Sequence, residues 1–161
     1  ATTGAPLFDT TWSLVFRGGG GFGGSAPPRE EAILPPAERE PDFVVSEATT
    51  PEQAILYRLS GDENPLHIDP EVAKQAGFAA GPIQHGLCTL GFMVRHVVKA
   101  ACGGDGRRLR AFEAQFRKPV WPGDVLVTRG YRLDGGRVAL QVGVEGRAEP
   151  VVTHAAAWID D

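Results

Sequence analysis

The chain has 161 residues and a formal net charge of −4, long enough for one domain with a real core and giving no charge-based reason to expect nucleic acid. No apolar run approaches the roughly 20 residues that span a bilayer, and the opening Ala-Thr-Thr-Gly has no basic and apolar signal pattern, so a soluble protein is expected. Two cysteines, Cys88 and Cys102, are too few and too poorly spaced for a disulfide framework or a zinc site; reduced thiols in a cytoplasmic protein fit them best. The absent initiator Met fits either its removal before a small Ala or a start inside a longer protein.

In chain order, Leu7 to Phe16 (LFDTTWSLVF) is rich in β-branched and aromatic residues and reads as a strand. Arg17, a glycine run to Gly24 and a proline-rich stretch to Pro41 follow, so this strand is cut off from the next domain by a linker. Glycine-rich loops can cradle phosphates, but GGGGFGG is followed by neither a Walker lysine nor a helical pattern. A flexible loop near a substrate entrance or a plain linker is the expectation. The organisation is therefore a tail over 1–24, a linker over 25–41 and a domain over 42–161.

From Asp42 the pattern becomes regular. A short strand (Phe43 to Glu47) precedes Thr50, which is expected to cap a helix opened by Pro51 and Glu52 and running through Leu59. A Gly61 to Pro65 loop follows. Asp69 at N-cap, Pro70 at N1 and Glu71 in the first turn start a second helix, which Gly77 stops. Gly81-Pro82-Ile83-Gln84-His85-Gly86 then leads into an apolar helix to Ala101, with Leu87, Leu90, Phe92, Met93, Val94, Val97 and Val98 on nearly every face, as expected for a helix wrapped by a sheet.

The last third reads as four strands, Arg108 to Arg117, Asp124 to Leu133, Arg137 to Glu145 and Val151 to Ile159, with turn signals at Pro122-Gly123 and Asp134-Gly135-Gly136. An antiparallel meander fits. Helix first and strands after is an α+β order, which disfavours a dinucleotide-binding fold. Between the first two of these strands, Arg117 and Lys118 sit in a stiff loop with Trp121; they offer contacts for phosphates, or form a solvated basic turn.

The chemistry concentrates in YRLSGDENPLHID, residues 57–69. Asp62, Asn64 and His67 fall within six positions of a Gly/Pro-punctuated loop, and such a density of proton-handling groups is what acid–base catalysis requires. Gly-Asp-x-Asn-Pro is also ordinary turn chemistry. Downstream, Gly86 either offers a helix N-terminal N–H to a developing oxyanion or permits close helix–sheet packing. His85 either lines the pocket or stabilises the loop. Asp62, His67, His85 and Asp69 are also metal-ligand types, but no familiar ligand spacing appears, and a site without metal is expected.

Residues 57–70 (YRLSGDENPLHIDP), followed by Gly81-Pro82-Ile83-Gln84-His85-Gly86-Leu87-Cys88, closely resemble the hydratase 2 motif of the MaoC-like dehydratases. The resemblance implies a hot-dog fold, in which an antiparallel sheet wraps a long central helix. It also implies a coenzyme A thioester substrate entering between two such folds, and the activity of an (R)-specific 2-enoyl-CoA hydratase with no cofactor. On the family pattern, Asp62 and His67 match the catalytic dyad, Asn64 the polar residue assisting them and the Gly86 amide the oxyanion hole, while the loop bearing Arg117 and Lys118 has a counterpart in the family. In double hot-dog members, a segment resembling Phe16 to Gly24 closes the first half, so residues 1–24 are expected to be the tail of a preceding half. A two-hot-dog unit follows, as a homodimer or with a partner chain. A thioesterase on the same fold and a non-catalytic acyl-CoA-binding subunit are the alternatives.

Overall fold

The computed structural model describes residues 3–14, 18–25 and 31–160, and the chain divides into two units, 1–31 and 32–161. In the first unit the described residues form no helix or strand. The strand expected over Leu7 to Phe16 is therefore absent from 7–14, and Val15, Phe16 and Arg17 lie outside the described residues, as do 26–30 of the expected linker. Leu7, Phe8, Trp12 and Leu14 are all exposed. A lone extended segment has no ladder to satisfy its backbone, so sequence preference alone does not make it a strand.

The second unit is built on five antiparallel strands: β1 (Phe43–Ala48), β2 (Leu109–Phe116), β3 (Val125–Leu133), β4 (Arg137–Val144) and β5 (Val152–Ile159), in the order β1-β3-β4-β5-β2. Strands β3, β4 and β5 form the expected meander, with Leu126 opposite Val144 and Leu140 opposite Ala155. The first strand of the expected four departs from it. β2 pairs with β5, Phe112 opposite Ala157, so residues 117–124 cross the sheet instead of closing a hairpin. Pro119 restricts the backbone of this segment, the expected turn at Pro122-Gly123 is closed by Asp124 N–H donating to the Trp121 carbonyl, and the backbone N–H groups of Arg117 and Lys118 donate to the Val151 carbonyl. Eight residues can span at most about 26 Å, so even with a turn included they cover the roughly 14 Å of three strand spacings.

Three helices accompany the sheet: α1 (Gln53–Arg58), α2 (Pro70–Gln75) and α3 (Gly86–Ala101). α1 begins later than expected and no side chain caps it. Residues 51–52 form a turn, Thr50 contributes only its carbonyl to Gln53 N–H, and it is Thr49 whose hydroxyl is engaged, donating to the Asp124 carbonyl and accepting from Gly123 N–H. α2 is capped as expected, Asp69 accepting from the N–H groups of Glu71 and Val72.

α3 has the expected ends, and Gly103, at φ +64°, supplies the left-handed residue that stops it. Its Cys88, Phe92, Met93, Val97 and Ala101 bury against Leu126, Val138, Leu140, Val142, Ala155 and Ala157. The sheet covers one face of the helix rather than all of it, since Leu87 is exposed and Leu90, Val94 and Val98 are only half-buried. Among the described residues no helix is long and apolar enough to cross a membrane.

A titratable ring is drawn into this core. His96 is fully buried and bonds in two directions, Nδ1 to the Thr128 hydroxyl at 2.8 Å and Nε2 to Glu47 Oε2 at 3.0 Å; Arg95 donates to the other Glu47 oxygen. A neutral ring satisfies both contacts, Nε2–H donating to the carboxylate and Nδ1 accepting from the hydroxyl. Burial holds His96 below its ordinary value of 6.5; Glu47 opposes this, while Arg95 and Lys99 add to it.

As pH falls below about 6.5, the unfolded chain gains a proton that the folded chain resists. Stability is therefore fully present above that value and lost as pH falls towards the depressed folded pKa. Urea midpoints should drop between pH 7 and pH 5, and His96→Gln should flatten that drop while lowering the midpoint at pH 7.

Candidate active site

The site begins where α1 ends. Gly61, at φ +113°, lets the chain turn into a backbone conformation that a side chain disfavours. Arg58 then donates to the Glu63 carbonyl at 2.6 Å, bridging the loop's base. Two side chains brace the rest, Asp62 Oδ1 accepting from Asn64 N–H and Asn64 Oδ1 from Leu66 N–H at 3.1 Å. Asn64 thereby caps a 3₁₀ turn, Pro65–His67, which presents His67. The turn chemistry and the candidate chemistry are the same atoms.

His67 is half-buried, and its Nδ1 lies 2.7 Å from the Ile83 carbonyl. A carbonyl only accepts, so Nδ1 carries the proton and Nε2 is the nitrogen left for a reacting group. This contact joins the loop to the lead-in of α3. That lead-in is itself anchored, by Gln84 N–H donating to the Val120 carbonyl at 2.7 Å and by the Trp121 indole donating to the Gly81 carbonyl at 3.1 Å.

His85 stacks on His67 with ring centroids 3.8 Å apart and planes 28° from parallel. It lies 1% exposed, so in this arrangement its ring is screened from an incoming ligand and sits behind His67. Its Nε2 lies 3.3 Å from the Asp62 carbonyl and 4.0 Å from the Asp62 carboxylate. Burial holds His85 below its ordinary 6.5, with the neighbouring His67 acting in the same direction and Asp62 partly offsetting both.

Asp62, His67 and His85 thus bring ligand-type atoms within 4.8 Å of one another. Imidazole binds an ion in its own plane, at about 2.0–2.1 Å for zinc. Two rings stacked face to face point their lone pairs side by side and do not converge on one such point. The geometry favours proton transfer over ion coordination.

Gly86 is the first residue of α3, and its backbone N–H is at the end whose donors have no partner within the helix. A Cβ placed there would lie 3.4 Å from the Phe116 ring, so the amide sits beside an apolar wall formed by the end of β2. Asp62, His67 and His85 are therefore gathered beside the helix N-terminus that Gly86 opens, while the Asn64 side-chain oxygen is turned to Leu66 N–H. Arg117 and Lys118 are committed elsewhere. Arg117 donates to Gln115 Oε1 and Thr153 Oγ1, and Lys118 pairs with Glu149.

Two neighbours of the site were not among the candidate residues. Phe116 is the last residue of an edge strand, and only the crossover places it against Gly86. Tyr57 packs against His85 with ring centroids 4.8 Å apart, and burial raises its phenol above the ordinary value. It heads the 57–70 motif, near the end of α1 and one turn before the loop.

A family model described as MaoC like domain matches residues 33–153. The chain is 39% identical over 160 residues to a probable enoyl-CoA hydratase 2 of Dictyostelium discoideum, covering 99% of this chain and 54% of that protein. It is 42% identical over 156 residues to the peroxisomal enoyl-CoA hydratase 2 of Arabidopsis thaliana, covering 92% of this chain and 49% of that one. Its fold matches a MaoC-like dehydratase from Phytophthora capsici with a TM-score of 0.77 and 39% identity, over 83% of this chain and 47% of that chain. The chain spans about half the length of these relatives.

Because Asn64 Oδ1 is the cap of the 3₁₀ turn, Asn64→Ala should cost about 1 kcal/mol of stability, read as a lower urea midpoint. Asn64→Asp, which keeps the accepting oxygen, should recover most of it.

Proposed function

The chain belongs to the MaoC-like dehydratase family, and we propose that it catalyses the reversible hydration of a trans-2-enoyl-CoA to the (R)-3-hydroxyacyl-CoA. The observation that carries this reading is the meeting of the Asp62 carboxylate, the His67 imidazole and the Gly86 amide at the N-terminus of α3. Hydration needs those three functions: a base for water, an acid for carbon and a donor for the thioester oxygen.

In the proposed mechanism, Asp62 and the free Nε2 of His67 hold one water between them. Its oxygen bonds to C3 as the dyad takes one of its protons, the electrons of the C2–C3 double bond move towards the thioester carbonyl, and a proton is delivered to C2. The net change is one water added and no charge gained, and the dyad returns to its starting state. The Gly86 N–H holds the thioester oxygen while it carries enolate charge, an interaction typically worth on the order of 3 kcal/mol. Phe116 excludes water on one side of that oxygen and so strengthens the contact. Asn64 acts by keeping the 3₁₀ turn formed and assists in orienting the water.

The acyl pocket is placed between this domain and a second hot-dog unit, a second copy or a preceding half. Leu56, Leu59, Leu87 and Phe116 are all exposed in the isolated chain, and the relatives are about twice its length. Residues 1–24 are read as the end of such a preceding half. For Arg117 and Lys118 to meet the phosphates of coenzyme A, they would exchange Gln115, Thr153 and Glu149 for the ligand.

In the full protein, absorbance of the conjugated thioester of crotonyl-CoA should fall on hydration. Asp62→Asn and His67→Gln should each slow that fall by about 10²–10⁴-fold, the usual contribution of a positioned acid or base. Wild-type rates in either folded variant would remove that residue from the mechanism.

A further inference from the structure

The imidazole of His85 takes part in none of the proposed steps, yet it is the side chain that touches both members of the dyad. It stacks on His67 at 3.8 Å, and its Nε2 reaches the Asp62 carbonyl at 3.3 Å with the carboxylate at 4.0 Å. Since the carbonyl can only accept, Nε2 carries the proton. Nδ1 is then a bare lone pair, buried and without a partner among the described residues. Leaving a buried polar atom unpaired costs about 1–3 kcal/mol, so stability alone does not call for a histidine at this position.

Resting on the hydration reading above, we propose that His85 is a positioning residue, whose stacked ring and Nε2–H hold His67 and the Asp62 loop in the one arrangement that can share a water. It has two separable parts. The stack blocks rotation of the His67 ring, which its single hydrogen bond to Ile83 would otherwise leave able to swing. The Nε2–H contact fixes the backbone of Asp62, on a loop that is exposed from Gly61 to Pro65 and otherwise braced locally. Only an aromatic ring that also donates in its plane does both.

The arrangement requires His85 to stay neutral while the dyad exchanges protons. Two charged rings 3.8 Å apart would repel, and the groups facing His85 are His67, Asp62, Arg58 and the Tyr57 ring. Burial supports the neutral state, leaving proton exchange to the dyad.

Two substitutions in the full-length protein separate the parts. His85→Phe keeps the stack and loses the donor; His85→Gln keeps a donor and loses the stack. Each should lower kcat with crotonyl-CoA by about 10- to 100-fold, as expected for misplaced reacting groups, while KM changes by less than about threefold. The ring-nitrogen chemical shifts of His67 should move in both variants. A purely structural His85 would lower the folded fraction but leave kcat per folded molecule and those shifts as in wild type, and that result would overturn the proposal. Nitrogen-15 spectra of wild-type histidines decide the matter even if the variants do not fold. His85 should be neutral at pH 7 with its proton on Nε2 and Nδ1 bare; a proton on Nδ1 would overturn it. A wild type that hydrates no enoyl-CoA would strike the hydration reading instead, leaving the spectra to judge the placement of His85.

Discussion

Everything at this site depends on the five residues that lead into α3. Gly81 to His85 are tied on one side to the crossover, through Val120 and Trp121, and on the other to His67, through the Ile83 carbonyl. They therefore fix three things together: the depth of the helix N-terminus, the position of the catalytic loop and the tautomer of its imidazole. A hydrogen bond to a backbone carbonyl is a dependable way to set a tautomer, because that acceptor cannot become a donor.

The anchoring works because α3 itself is packed along its length. Its apolar face is packed onto β3, β4 and β5, and large side chains such as Met93, Leu126 and Leu140 are almost completely buried. A helix held along its length presents its first N–H groups at a fixed point, which electrostatic stabilisation of an oxyanion requires. The loop beside it is the opposite kind of structure, short, exposed and braced by Asx contacts. Rigid helix and braced loop meet through two stacked imidazoles, so the precision of the site rests on His67 and His85 more than on the loop's own fold.

Much of this was legible in the residues. The start of α3 follows from Gly86, the cap of α2 from Asp69-Pro70, and the strands of the second unit from their β-branched runs, because each signal is local. What was not legible is non-local. Nothing in residues 109–124 says that β2 joins β5 across the sheet; that depends on which edge is free. Thr49 and Thr50 are neighbours of the same type, and only the approach of Gly123 and Asp124 decides that the first is engaged. The bonds from His96 to Glu47 and Thr128 join residues 49 and 32 positions apart, so a histidine in an apolar helix reads as one more buried residue. At the site, the sequence placed Asp62, Asn64, His67 and Gly86 in a short list, while the burial of His85 behind His67 is a fact of packing.

If water is added to carbon while the thioester stays whole, the fate of oxygen will show it. With a trans-2-enoyl-CoA in water enriched in oxygen-18, label should appear in a hydroxyl at C3, with R configuration at that carbon and no free thiol. Label in a carboxylate, with coenzyme A released, would instead make this site a hydrolase.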